Sequence, residues 1–567
     1  MRYKIHVLDR KYEKWEVYDA VTLQLTKIDI NPIEHKLFNH DVFSINGENI
    51  SIEHSVIRSI PGIQGVLVLE GDKTYGKIKK KFLYRCIPDD RRLPEFLIPY
   101  KPKIVFNKKM HNNYIIFKFK NWNNKHPLGT MTQRIGPVNN LGNFYEYQLY
   151  CKSLYASIQQ FTKDTMKALR EKSSDFYINN IIEKYELEDR RDWKVYSIDP
   201  HDCRDLDDAF SIKKIDDKIL LSIYIANVSL WLDIMSLWGS FSQRIATIYL
   251  PDRKRPMLPT ILSEALCSLL EKNTRFAFTL DITIKDNIIL DTVFKNTSIV
   301  LKKNHAYETK ELLSSKFYKL LFELTTKMNS IKGQQYVSKI KDSHDIIAYL
   351  MVLMNFISGK KLNSFNSGIF RSVRLNNNKK IPKVLPDGVL KFIKGWNSSG
   401  GVYVGHNNKY RNHDLLNIES YVHITSPIRR LVDLLNMLEL QDKLGLFKYN
   451  KESKKFYDKW YSNLDYINST MRSIRKVQND SSLLNVCINN INNEYDGFLF
   501  DKMKRNDGLF QYMVFLPKIK LINRLVVKEE YENYTKHLFK VYVFIDEDRL
   551  KQKIRVDILS SYNIYVK

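Results

Sequence analysis

Short strand-forming runs at both ends of the chain constrain its fold more than any other feature. Up to about residue 165, runs such as Gly65-Val-Leu-Val-Leu69 and Tyr114-Ile-Ile-Phe-Lys-Phe119 alternate with breaks rich in Asn, Gly and Pro. From about residue 495 the pattern returns, with strands expected over 497–500, 509–516 and 538–545 and a hairpin turn at Asn506-Asp-Gly508. Strands this short, regularly interrupted, build small barrels rather than one broad sheet. Between the two ends the pattern mixes strand and helix periods. Strands are expected over 220–228 and 276–284, helices over 345–361, 428–444 and 454–491, and a linker helix from Tyr145 through Lys152 to Arg170. The fold class expected is α+β, a mixed block flanked by β-barrels.

At 567 residues the chain exceeds what one core supports, so about three or four domains are expected. Its formal net charge of +27 points to a polyanionic partner, nucleic acid or an acidic membrane surface. A membrane is the weaker choice, because no run of about 18 apolar residues occurs and Met1-Arg-Tyr-Lys carries charge at once. The five cysteines (Cys86, Cys151, Cys203, Cys267 and Cys487) are odd in number and widely separated. That spacing excludes a CxxC-type zinc site and fits free thiols in a reducing, cytoplasmic setting.

Against this basic background, Ser197 to Phe210 packs Asp199, Asp205, Asp207 and Asp208, with Asp202 between, into ten residues. Carboxylates held a few ångströms apart repel, and one must take up a proton unless a cation sits between them. Hard oxygen donors without an ordered His or Cys spacing favour Mg²⁺ or Mn²⁺ over zinc. Ala209 and Phe210 do not supply the Gly and Glu of a calcium loop. Asp205 and Asp207 also lie several residues beyond the apolar run 193–198, too far for an Asp-x-Asp pair at a strand end. A solvated acidic turn is the plain alternative.

Other segments give this stretch company. Ser197-Ile-Asp-Pro200 with Asp205-Leu-Asp-Asp-Ala209 resembles the signature of the RNase II family, the RNB domain. Ile225-Ala-Asn-Val-Ser229, Tyr249-Leu-Pro-Asp-Arg253 with Pro256-Met-Leu-Pro259, Leu262-Ser-Glu-Ala-Leu-Cys-Ser-Leu269 and Tyr421-Val-His-Ile-Thr-Ser-Pro-Ile-Arg-Arg430 follow in that family's order. Upstream, Pro88-Asp-Asp-Arg-Arg-Leu-Pro94 and His126-Pro-Leu-Gly129 with Ile135-Gly-Pro137 resemble the paired cold-shock barrels of its eukaryotic branch, that of the exosome's catalytic subunit. The resemblance implies a cold-shock-like OB barrel over 1–100, divergent at its start, and a second over 101–165. An RNB catalytic domain over 166–494 and a C-terminal OB barrel over 495–567 complete the implied plan. No PIN endonuclease domain precedes the first barrel, so exonuclease activity alone is implied.

The family resemblance implies 3′-to-5′ hydrolysis of single-stranded RNA to 5′-mononucleotides with Mg²⁺, Mn²⁺ being a substitute. Four carboxylates can hold two metals, and we assign Asp199, Asp205 and Asp208 to the first and its waters and Asp207 to the second and the attacking water. Arg429 stands at the family's catalytic arginine, suited to charge building on the phosphorane; the alternative is a structural arginine pairing with Asp433, a role that suits Arg430 better. Tyr249 matches the family's tyrosine at the RNA 3′ end, and Tyr307, in Asn304-His-Ala-Tyr307, matches a second that positions the scissile region, core or hairpin residues being the plain alternative. Base stacking on such rings is worth roughly 1–3 kcal/mol each. Lys79, Lys80 and Lys81, followed by Phe82 and Tyr84, suit a face that guides RNA by phosphate contacts, a solvated loop being the equal alternative. Asn227, Leu415 and Met437 depart from the family's Asp, Gly and His, which implies altered rate or substrate preference. The rival reading is a catalytically inactive RNA-binding protein of the same architecture. A monomer acting alone is expected, and association with an exosome-like ring is not favoured.

Overall fold

The computed structural model describes residues 1–47, 49–102, 110–375, 382, 385–489 and 494–560. The chain forms two compact units, one of residues 1–155, 250–252 and 476–567, the other of residues 156–249 and 253–475.

The first unit is built from three antiparallel-rich sheets. Five strands between Arg2 and His54 form the first, and six strands between Ile63 and Pro137 form the second, in which Ile63–Leu67 also pairs with Lys81–Pro88 so that its ends meet. The boundary expected at residue 100 therefore falls inside one sheet, between its strands Phe96–Tyr100 and Asn113–Asn121. Two features hid this. Pro88 and Pro99 lie within strands, where proline is unexpected, and the two sheets share one core, in which Phe38 stacks on Phe96 at 5.8 Å and meets Trp122 at 4.8 Å. Downstream, five strands from Glu494 to Ser560 form the third sheet. Gly508, at φ +81°, turns its first hairpin where Asn506-Asp-Gly508 was expected to, because a residue without Cβ enters the left-handed region at no steric cost. Strands Leu521–Val527 and Lys551–Ser560 add to the three expected there.

The second unit centres on a closed barrel of strands Glu188–Asp199, Asp208–Ile215, Lys218–Ala226, Thr274–Lys285 and Ile288–Ala306. The last pairs in parallel with the first, which closes the ring. Side chains alternate across each strand. Leu221, Ile223, Phe278, Leu280 and Ile282 face outward onto helices Lys316–Ser330 and Ser343–Ser364. The alternate positions, Ser222, Thr279 and Asp281, face inward, and there Arg190, 1% exposed, grips Asp281 with contacts of 2.5 and 2.8 Å. A buried charge survives only with such a partner. Ser315 and Asp342 cap the two outer helices by accepting from the amides of Tyr318 and Asp345.

Several helix expectations shift. The linker helix is two helices, Leu141–Cys151 and Gln159–Glu171. Helix Leu431–Lys443 begins after Arg430, because Ser426 to Arg430 is held in a turn. The long C-terminal helix is Lys451–Tyr461 followed by Leu464–Asn489, its expected end at Ile491 lying outside the described residues. Among the described residues, no helix is long and apolar enough to cross a membrane.

Candidate active site

Asp199 ends one barrel strand and Asp208 begins the next, so the barrel frame itself sets both carboxylates at one end of adjacent strands. The intervening loop is fixed at its far end. The Leu206 amide donates to Ser268 Oγ at 3.0 Å, its carbonyl accepts from the Leu269 amide at 3.0 Å, and the Asp207 carbonyl accepts from the Ala226 amide at 2.8 Å. Two of the sequence motifs, around Ile225 and Leu262, thus have a physical task, which is to hold the acidic loop. Asp202 takes no part: it is exposed beside His201.

The four remaining aspartates divide into two pairs. Asp207 is saturated, its Oδ1 accepting from the Ile428 amide at 3.0 Å and its Oδ2 from Arg429 Nε at 2.9 Å. Asp205 is also engaged, with Lys254 Nζ at 2.7 Å from Oδ1 and the Tyr249 hydroxyl donating to Oδ2 at 3.1 Å. Asp199 and Asp208, by contrast, each bury an Oδ2 that has no hydrogen-bond partner.

Electrostatics follow this division. Burial, with repulsion from Asp207 and Asp205, pushes the Asp199 carboxyl up to about 7. Burial beside Asp199 and Asp207 lifts Asp208 well above the ordinary carboxylate range. Asp207 rises to about 6, because burial outweighs the favourable Arg429 charge. Two sealed, partnerless carboxylate oxygens that resist ionising together fit a divalent cation, and hard oxygen donors suit Mg²⁺ or Mn²⁺. Among the described residues, no three His, Cys, Asp or Glu side chains gather as a ready metal site. The four-aspartate set expected from the sequence is split because Lys254 and Arg429 already neutralise two of its members.

Arg429 is oriented by more than Asp207. Its Nη2 donates to Ser426 Oγ at 3.0 Å and its carbonyl accepts from the Thr247 amide at 3.0 Å. The side chain still keeps 44% exposure. Arg430 pairs with fully buried Asp433 at 2.8 Å, which in turn accepts from the Ser426 amide at 2.8 Å. This network fixes the turn that carries Arg429.

Tyr249 is 40% exposed, and its hydroxyl donates to Asp205. The Tyr307 amide donates to the Asp199 carbonyl at 3.0 Å, and its half-buried ring stacks on His344 at 3.8 Å. Lys79, Lys80 and Lys81 belong to the other unit, at an exposed hairpin tip where Ile78 pairs with Lys81. Asn227 is fully satisfied: its amide donates to Asn296 Oδ1 and Gln441 Oε1, both at 2.9 Å, and its carbonyl accepts from Ser229 Oγ. Met437 packs in the core and Leu415 is exposed, so neither departure touches the acidic group.

Sequence reasoning missed Lys254, Glu264 and His344. Lys254 was findable, since Tyr249 and Lys254 flank a tight turn and pair directly across a two-stranded ribbon. His344 gave no local signal.

Residues 187–319 match the model described as "RNB domain". The chain carries an RNB domain. Among curated relatives it is 28% identical over 218 residues to DIS3-like exonuclease 2 of Schizosaccharomyces pombe, a match that covers 35% of this chain and 22% of that one. In the first three such relatives the match spans from 16% to 22% of their length. A solved structure of Mycoplasma genitalium RNase R in complex with ribose methylated single-stranded RNA superposes with TM-score 0.67 at 16% identity, covering 98% of this chain and 100% of that one. Yeast Ssd1, described as a pseudonuclease, superposes with TM-score 0.57 at 12% identity, covering 95% and 80%. The RNB domain therefore sits within an RNase R-like fold in which barrel-type sheets accompany it.

Proposed function

We propose that this protein is a 3′-to-5′ exoribonuclease that hydrolyses single-stranded RNA to 5′-mononucleotides with Mg²⁺. The observation that carries this reading is the pair of sealed, partnerless oxygens on Asp199 and Asp208 beside an accessible, pre-aimed Arg429. A divalent cation bound there would supply an activated water and neutralise charge on the scissile phosphate. Asp199 and Asp208 would hold it, with Asp205 and Asp207 close by. Arg429 is placed to meet negative charge as it develops on phosphorus, at low reorganisation cost because Asp207 and Ser426 already hold it. Tyr249 and Tyr307 would stack the terminal bases without reading sequence. Lys79, Lys80 and Lys81 would contribute phosphate contacts. The expected surroundings are cytoplasmic, and a monomer suffices for the chemistry.

One observation favours a second reading, an inactive RNA-binding protein. Two of the four aspartates are neutralised by protein cations, and Ssd1, a pseudonuclease, has a similar fold. A time course on uniformly labelled single-stranded RNA with Mg²⁺, alongside a 5′-labelled copy, separates the two. Release of 5′-monophosphates from the 3′ end, abolished in Asp208→Asn, supports the nuclease; RNA bound but left intact by both proteins supports the binder.

A further inference from the structure

The two-residue strand Lys254–Arg255 pairs with Ile248–Tyr249 through backbone contacts that any side chain would permit. The Lys254 side chain is nevertheless held at both ends of its reach. Its ammonium lies 2.7 Å from Asp205 Oδ1 and 2.7 Å from Glu264 Oε1, and Glu264 stands on the short π-helical turn Ile261–Leu266 that precedes the loop-holding Ser268. Asp205 retains only 7% side-chain exposure, and Tyr249, directly across the ribbon from Lys254, fills its other oxygen. A full positive charge at hydrogen-bond distance from a nearly buried carboxylate does the electrostatic task of a metal ion there. Asp205 accordingly differs from Asp199 and Asp208, whose orphaned oxygens have no cation of their own.

We propose that Lys254 is the resident counter-ion of the acidic centre, a positioning residue kept in place by Glu264, which occupies Asp205 where a second divalent cation would otherwise bind and confines tight metal binding to Asp199 and Asp208. The inference rests on the metal seat proposed above. Its physical basis is repulsion between charges a few ångströms apart, which at the effective dielectric of a protein site changes divalent-ion affinity by about tenfold or more.

The test counts metal ions without asking for turnover. Mn²⁺ is titrated into the full chain without RNA and free Mn²⁺ is read by electron paramagnetic resonance. The expected result is one tight Mn²⁺ in the wild type and in Lys254→Arg, its loss in Asp208→Asn, and in Lys254→Met either a second bound ion or about tenfold tighter binding of the first. Lys254→Gln carries the same expectation should Lys254→Met not fold. Lys254→Met with wild-type stoichiometry and affinity overturns the proposal, as does Lys254→Arg behaving like Lys254→Met. Absence of tight Mn²⁺ in the wild type overturns the metal seat as well. The expected Mn²⁺ pattern in a protein that leaves RNA intact sinks the nuclease reading alone.

Discussion

Arg429 and Asp207 share a charge-assisted hydrogen bond, Nε to Oδ2 at 2.9 Å, while the amide of the residue before the arginine closes on the other carboxylate oxygen at 3.0 Å. The carboxylate thus acts as a jig for the cation. Lysine keeps the charge but cannot span both Asp207 and Ser426. Arg429→Lys should lower kcat on single-stranded RNA by about 100-fold with a much smaller change in KM. Single-turnover kinetics check this, and an unchanged kcat would remove Arg429 from the chemistry.

Asp208 makes no hydrogen bond through its buried Oδ2 and sits against like charge. Asp208→Asn should therefore raise metal-free stability by about 1 kcal/mol while abolishing hydrolysis. Urea denaturation in chelator, paired with the RNA time course, reads both effects. A destabilised variant would mean that the Asp208 charge has a native partner.

Tyr249 has two separable parts, a hydroxyl on Asp205 and a ring that is 40% exposed. Tyr249→Phe keeps the ring and should bind RNA almost as the wild type does. Tyr249→Ala should weaken binding of a short single strand by roughly 1–3 kcal/mol, measured by fluorescence anisotropy with Asp208→Asn as the background. Equal affinities for the two variants would exclude stacking at this position.

Inside the barrel, Asp281 faces Arg190 across two short contacts. Asp281→Asn removes the bidentate carboxylate from the buried arginine, leaving Glu188 at its Nε, and should cost about 3–5 kcal/mol in urea denaturation. A loss below about 1 kcal/mol would show that Glu188, which also contacts Arg190, suffices alone.

His413 is pulled down to about 4, chiefly by burial, with Arg371 adding to the effect. Below the ordinary histidine value near 6.5 the unfolded chain takes up a proton that the folded chain refuses. The stability this group contributes is complete above that value and drains as pH falls towards about 4. Between about pH 7.5 and about pH 5 the wild type should lose more melting temperature than His413→Asn. Parallel losses would show that other groups carry the pH dependence.

Much of this arrangement was legible because local pattern and local structure agree. The strands around Ile223 and Phe278 alternate cleanly, and Asn506-Asp-Gly508 turns where it should. What stayed hidden is non-local. The first sheet ends by His54, yet its core continues into the next sheet through Phe38 and Phe96, and no local signal marks such a seam. The Asp cluster was visible as composition, but which aspartates keep a free oxygen depends on Lys254 and Arg429. Those residues reach the loop from 49 and 222 positions away. Asn227 looked like a departure because a motif prints one residue, whereas its amide is matched by Asn296 and Gln441 far along the chain.

Closure of the barrel by a parallel pairing between its first and last strands has a temporal meaning. On a ribosome the aspartates emerge early, but the strand that seals the ring ends at Ala306 and the arginine that orders Asp207 comes only at position 429. Pairings of such long separation form late. A half-made chain consequently carries the acidic residues without the assembled centre that the proposed hydrolysis requires.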